Sequence, residues 1–419
     1  YSCRFDAART TKLSKDFGSA GNRKTMTFSF WVKRHKLGTD GDFFIGDVQA
    51  SYPGHFIKFN QDDQLDARSQ TGIGGDTLRF ETTRRFRDVS AWYHIMVVVD
   101  TTQADAANRM KMYVNGVRET VFDVSTSTYA QDADTYFNHG DIPEYIGVYS
   151  TIYSNYSLAE YHFIDGTALT PSSFGETGDY GEWKPIEVTG VTYGTNGFYL
   201  DFADAADLGD DESGNGKDWT ETNLAATDQM LDTPTNNFAT LNPIMGSVDA
   251  HPLTYFEGNL KIWSSGWNGA MSTIPMSSGK WYCEYISNGT SVYAGVASVD
   301  QNLTASNPHG WSKALQYGKA GDGHLIQNDA VAVSGYGATW SAGDIIGIAL
   351  DKDDDTLTFY KNNVAQPEID LTSYNVGTDE LLFSFSQDGL YLWVNFGQDS
   401  SFAGEKTAQG NGGAGEDFY

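Results

Sequence analysis

Two antiparallel β-sandwiches in tandem, an all-β architecture, are what this 419-residue sequence predicts. Three observations lead there. The chain is longer than one hydrophobic core usually serves. Its 45 glycines, set among many Thr, Ser, Asn and Asp residues, suit short strands joined by tight turns. Apolar residues are not spaced for long helices anywhere along it, although 40% hydrophobic and 14% aromatic content is ample for large cores.

The strand signals come in order. Residues 25–32 alternate β-branched and aromatic side chains with small polar ones. Residues 56–59 form a short apolar run before a turn at Asp62 and Asp63. Trp92–Asp100 is almost continuously apolar, which suits a strand covered on both faces. Met110–Val114 alternates cleanly, and Asn115-Gly116 then supplies the positive φ of a type I′ hairpin turn. Residues 158–165 read as a late strand, and 169–174 as a short helix or turn. From about 203 to 245 the chain becomes acidic and turn-rich, the composition of a connector. A second alternating series runs from about Leu260 to Phe396. The Gly-rich stretch 409–415 has linker composition and suggests that the chain continues. The opening residue, Tyr1, suggests a removed start or a piece of a longer protein.

The two halves share one pattern. Ser90 and Asp100 bracket an apolar strand, as Ser341 and Asp351 do, the members of each pair standing ten positions apart. In both halves an alternating strand and an Asn-led hairpin turn follow, at Asn115-Gly116 and Asn362-Asn363. The expected organisation is a sandwich over 1–205, an acidic connector over 206–245, a second sandwich over 246–400 and a Gly-rich tail over 401–419.

In the first half, FSFWVKR at 28–34, AWYHIMVVVD at 91–100, MKMYVNGV at 110–117 and LAEYHFIDGTALTPSSFGE at 158–176 resemble a laminin-G-like (concanavalin A-like lectin/glucanase) domain. In the second, GKWYCEY at 279–285, YAGVAS at 293–298, GDIIGIALDKDDDTLTFYKNNV at 343–364 and LYLWVNFG at 390–397 resemble a SPRY domain. The resemblance implies two jelly-roll β-sandwiches. A tandem worded this way is similar to structural proteins of marine bacteriophages, of the tail-fibre or virion-surface kind. It therefore implies a non-catalytic virion surface protein, tail fibre or capsid decoration, that contacts a host-surface glycan or other virion proteins. The alternatives are a secreted or cell-surface carbohydrate-binding protein of a bacterium or archaeon, and a glycan hydrolase.

Charge narrows the partners. With 27 basic against 55 acidic residues the net charge is −28, so phosphate backbones are repelled and nucleic acid is not expected as a partner. An anionic membrane surface is disfavoured on the same ground, and no apolar run is long enough to span a bilayer as a helix. Cys3 and Cys283 fall in different halves, which rules out a disulfide framework and makes a bridge between them an unexpected feature.

Catalytic and metal signatures are thin. Concanavalin-like glycosidases carry carboxylates at alternate positions of one strand. The nearest match, Glu368-Ile369-Asp370, lacks a third carboxylate, so no catalytic residue is expected. Asp351, Asp353 and Asp355 imitate a calcium loop, but Thr356 stands where its glycine belongs and Asn362 where its glutamate belongs. The oxygen-rich residues 207–215 keep calcium open as the only cofactor. The histidines show no zinc spacing, and His94 and His162, inside strands, read as structural.

What remains for binding are loop aromatics. Tyr149, Tyr153 and Tyr156 crowd one turn, and Trp311, Tyr317, Tyr336 and Trp340 lie in the Gly/Ser-rich middle of the second half. Such rings offer flat apolar faces to sugars or protein hot spots, and the competing expectation is that they pack inside the sandwiches. A homo-oligomer is expected of a fibre or decoration protein.

Overall fold

The computed structural model describes residues 1–39, 41–47, 54–73, 75–246, 251–301, 311–318, 323–376, 380–413 and 415–419. The chain divides into two compact units, Tyr1–Asn237 and Phe238–Tyr419. Among the described residues both are all-β, with only three-residue 3₁₀ turns such as Pro171–Ser173 interrupting the strands. No helix among them is long and apolar enough to cross a membrane.

The first unit is a sandwich of two antiparallel sheets. One runs in the order Val117–Arg118, Met110–Val114, Trp92–Asp100, Thr25–Arg34, Tyr156–Asp165, Ser2–Phe5 and Gln229–Met230, with Phe198–Leu200 also paired to Tyr156–Asp165. The other runs Phe122–Ser127, Thr77–Arg85, Gln64–Gln70, Gly54–Phe59, Asp42–Asp47, Glu144–Ile146, Lys12–Lys15 and Thr220–Thr222. The period of two along each strand builds the core. Phe28, Phe30 and Val32 face inward with Ile95, Val97 and Val99, against Phe44, Ile57, Phe59 and Phe80 of the facing sheet. The intervening residues of the central strands are buried too. Trp31, Trp92 and Ala159 pack with Trp183, while Met96, Val98 and Ile164 pack with Phe174, because residues 169–193 cross the outer face of that sheet. The continuous apolar run of Trp92–Asp100 thus reflects cover on both faces.

The second unit repeats the layout. One sheet runs Leu241–Gly246, Trp267–Ser272, Leu381–Asp388, Val292–Ser298, Ala314–Gly318, His324–Gln327 and Ala330–Val333. The other runs Thr254–Phe256, Lys261–Trp263, Tyr391–Asn395, Lys280–Ser287, Ile346–Asp351, Thr356–Lys361 and Val364–Ala365, with Ile369–Asp370 also paired to Thr356–Lys361. Rings bridge the sheets, Tyr285 to Phe385 at 6.0 Å and Tyr317 to Phe359 at 5.0 Å. Both Asn-led turns take the conformation their residues favour, with φ of 47° and 76° at Asn115 and Gly116, and 46° and 64° at Asn362 and Asn363. Cys3 and Cys283 are free and buried.

Two boundaries differ from expectation. Residues 206–237 are not a connector. Thr220–Thr222 and Gln229–Met230 extend both sheets of the first unit, and Trp219 enters its core 5.0 Å from Phe198. Acidic residues there serve as buried acceptors: Asp228 pairs with Arg4 at 3.2 Å and Arg9 at 2.6 Å, and Asp232 with Lys33 at 2.7 Å and Trp92 Nε1 at 3.0 Å. Acidic, turn-rich composition concealed those few anchors. The tail over 401–419 is likewise folded onto its own unit. Asn411 bridges Phe418, the amide of Asp417 donates to the Gly397 carbonyl at 2.7 Å, and Phe418 packs edge-on to Tyr282 at 4.9 Å.

Candidate functional site

The aromatics singled out in the sequence divide by burial. Tyr156, Trp311, Tyr317 and Trp340 are buried and belong to the cores, which corrects their assignment to binding loops. Tyr156 donates its hydroxyl to the Phe43 carbonyl at 2.5 Å, and Tyr317 packs 4.6 Å from Trp340. Their bulk explains the correction, since a sandwich end is closed by large rings. Tyr149 stacks on Phe43 at 4.8 Å, Tyr153 is half-buried in a hairpin with Val148, and Tyr336 packs edge-on to Tyr317 at 5.3 Å while its hydroxyl donates to the Pro367 carbonyl. Four of the seven rings therefore pack in the cores of their own units.

The acidic candidates are engaged in turns. Asp351 accepts from the amides of Asp353 at 3.2 Å and Asp354 at 3.3 Å and pairs with Lys280, while Asp355 pairs with Lys352. Within 207–215, Asp211 accepts from the amides of Tyr199 at 2.9 Å, Ser213 at 2.9 Å and Lys217 at 2.7 Å. These carboxylates organise Asx-type turns. Asp370 caps the 3₁₀ turn Leu371–Ser373 through the Thr372 hydroxyl at 2.6 Å and amide at 2.9 Å, and these bonds hold its carboxyl below the usual carboxylate range.

Sequence reasoning missed a polar groove of about 470 Å³ in the second unit. Its floor is the outer face of the sheet that contains Lys280–Ser287. Cys283 and Tyr285 of that strand point into the core, so Tyr282 and Glu284 point the other way. Glu284 lies opposite Gly347 on the neighbouring strand, and a Cβ there would collide with the Tyr282 hydroxyl. Gly347 thereby lets the Tyr282 ring lie across the sheet. One wall is the Asn362-Asn363 turn and the segment carrying Asp344, and the other is the folded-back tail with Lys406, Gln409, Asn411 and Tyr419. The signal in the sequence was the Tyr-x-Glu alternation in GKWYCEY, but the opposing wall comes from the tail, whose composition read as linker.

The groove's charges are set. Burial raises the Glu284 carboxyl, partly offset by bonds from the Tyr419 amide at 3.0 Å, the Tyr282 hydroxyl at 3.1 Å and Asn395 Nδ2 at 3.4 Å. Burial also works to raise Asp344, but hydrogen bonds from Asn362 at 2.8 Å and the Ser341 amide at 2.8 Å, with Lys361 beside them, hold it below the ordinary value. Lys406 Nζ donates to the Gly343 carbonyl at 2.7 Å. The result is a mixed set of donors and acceptors beside a tyrosine, with exposed amides at Asn363, Gln409 and Asn411.

Residues 8–148 match the sequence signature of the concanavalin A-like lectin/glucanases superfamily. No curated protein matches the chain. Among solved structures the chain is similar to the SPRY domain of human HERC1, at 16% identity over 37% of this chain and 96% of that one, with a TM-score of 0.31. It is similar to the TRIM65 PSpry domain at 15% identity over 38% and 90% of the two chains, TM-score 0.31. It is also similar to a heptameric SAP-like pentraxin from Limulus polyphemus, at 14% identity over 38% and 71%, TM-score 0.27.

Proposed function

We propose that this protein is a non-catalytic binding protein whose second unit holds a glycan in the polar groove. The observation that carries the reading is the composition of that groove: side-chain amides, a lysine and engaged carboxylates beside the Tyr282 ring. Sugar rings need hydroxyl-matching donors and acceptors together with one flat apolar face. The match of residues 8–148, in the first unit, to the lectin/glucanases superfamily supports a carbohydrate ligand for the chain, for binding and hydrolysis alike. Binding of a glycan panel by microcalorimetry, with released sugars assayed in the same samples, tests it. Binding without product is the expected outcome, and the absence of binding to every glycan rejects the reading.

One observation favours a hydrolase as the second reading: Glu284 and Asp344 share a groove, and their environments move them in opposite directions. Against it, both Glu284 oxygens already accept hydrogen bonds, which leaves a poor proton donor for a glycosidic oxygen. Turnover abolished in a Glu284→Gln variant would establish that reading in place of ours.

The setting we propose is the outer surface of a virion, with a host-surface glycan, other virion proteins and further copies of the chain as partners. The resemblance to phage structural proteins supports it. Finding the protein in purified virions by mass spectrometry, and adsorption of the purified protein to host cells, are the expected results. Its absence from virions, or a signal peptide in the full-length gene, would move it to a cell surface or secreted setting.

A further inference from the structure

We propose that Asp47, His55 and His139, in the first unit, form a binding site for a divalent first-row transition metal such as zinc. Asp47 ends the strand Asp42–Asp47, and His55 lies on the adjacent strand Gly54–Phe59. His139 arrives on the segment between Phe122–Ser127 and Glu144–Ile146. One oxygen of Asp47 and one nitrogen of each imidazole lie within 4.8 Å of one another, and all three residues are buried. Ligands bound at 2.0–2.1 Å around a tetrahedral ion stand about 3.3 Å apart, so modest rotation of these side chains closes the set. Gly54 makes room for it, because a Cβ there would sit 2.9 Å from Asp47 Oδ1.

Three features point to a cation. His55 Nε2 is bonded to Glu144 Oε2 at 2.8 Å, and its Nδ1 makes no hydrogen bond although buried. In the neutral ring with its proton on Nε2, the Nδ1 lone pair and Asp47 Oδ2 face each other at 3.8 Å, two electron-pair donors that a cation between them would take up together. The Glu144–His55 pair is the carboxylate–histidine arrangement that orients a ligating imidazole and strengthens its basicity. His139 Nε2 is also buried without a hydrogen bond.

The donor set selects the ion. Two imidazoles and one carboxylate suit zinc and its neighbours, whereas calcium and magnesium take oxygen ligands. Three protein ligands leave a coordination position for water or a further ligand. The Asp141 amide donates to His139 Nδ1 at 3.0 Å, so the metal-free neutral ring carries its proton on Nε2. Metal uptake at Nε2 therefore shifts the ring proton to Nδ1 and turns the Asp141 amide away, which couples loading to the segment leading into Glu144–Ile146.

The test uses the full chain, stripped with chelator and titrated with Zn²⁺ and Co²⁺. One equivalent of Zn²⁺ per chain is expected, with a Co²⁺ absorption spectrum of low-symmetry nitrogen/oxygen coordination and perturbed NMR signals from two imidazoles and the Asp141 amide. His139→Gln should weaken Zn²⁺ binding at least about a hundredfold and Glu144→Gln about ten- to a hundredfold, while His324→Gln, outside the cluster, should change nothing. If a variant fails to fold, the wild-type NMR and Co²⁺ signatures decide. No stoichiometric binding to the wild type, or binding that perturbs other histidines, would overturn the proposal.

Discussion

The indole Nε1–H of Trp183 donates to Nδ1 of His94 at 3.0 Å. His94 thereby keeps its own proton on Nε2, where it meets the Ser29 hydroxyl at 2.8 Å. One bond thus fixes a buried tautomer and fastens the segment 169–193 over the outer face of the first unit's sheet. Gly116 and Gly175 flank the indole, and a Cβ at either would come within 2.6 Å of the ring. Trp183→Phe keeps an aromatic ring but deletes the donor, leaving Nδ1 buried without a partner. The expected loss is about 1–3 kcal/mol, read as a lower urea midpoint with an unchanged slope.

Three imidazoles of this unit refuse protons. Burial drives His35, His94 and His162 down to about 3, with Lys33 adding to the effect at His35 and His94 adding to it at His162. Each folded value lies below the unfolded value of about 6.5. Their contribution to stability is therefore fully present above that pH and is lost as pH falls toward 3, because only the unfolded chain takes up the protons. The slope approaches about 1.4 kcal/mol per pH unit for each histidine. His55 works the other way, since Glu144 and Asp47 outweigh its burial and raise it, while burial lowers His139. Urea midpoints measured at pH 7.5, 6 and 5 should fall steadily, and a flat or rising series would contradict this account.

Buried and exposed ion pairs should separate sharply. Arg34 is fully buried between Asp42 at 2.9 Å and Asp63 at 3.0 Å, so Arg34→Met leaves Asp42 buried without its cation, while Asp63 keeps Arg87 at 2.8 Å, and should cost about 3–5 kcal/mol. Lys280, 76% exposed, pairs with Asp351, and Lys280→Ala should cost less than about 1 kcal/mol. Thermal unfolding of the two variants measures the contrast.

Trp311, expected from its Gly/Ser-rich surroundings to contact ligand, packs with Met271, Ala297, Ala314 and Leu382. Trp311→Ala should destabilise the second unit by about 3–5 kcal/mol. Glycan affinity of the molecules that remain folded should stay the same, which calorimetry on refolded samples checks.

The fold was largely legible because its signals are local. Alternation at Thr25–Arg34 and Met110–Val114 and the turns at Asn115 and Asn362 depend on residues a few positions apart. What was hidden depends on long-range pairing. Asp228 and Asp232 read as solvated acids until Arg4, Arg9 and Lys33, roughly two hundred positions away, come to meet them. The groove was hidden for the same reason, since Tyr282 and Glu284 acquire their opposite wall only when residues 406–419 fold back. The aromatics misled because a ring in a Gly/Ser-rich stretch can close a sandwich end as readily as it can meet a ligand, and only burial distinguishes the two.

The most direct test of the central claim is glycan titration of the wild type beside Asn363→Ala and Tyr282→Ala, with unfolding midpoints measured in parallel. Asn363 is exposed on the groove's rim, and Tyr282 supplies its aromatic face. The account predicts saturable binding without product, weakened about tenfold or more by Asn363→Ala, a loss of about 1.4 kcal/mol, with the midpoint of that variant unchanged. Equal affinity in wild type and both variants would contradict it.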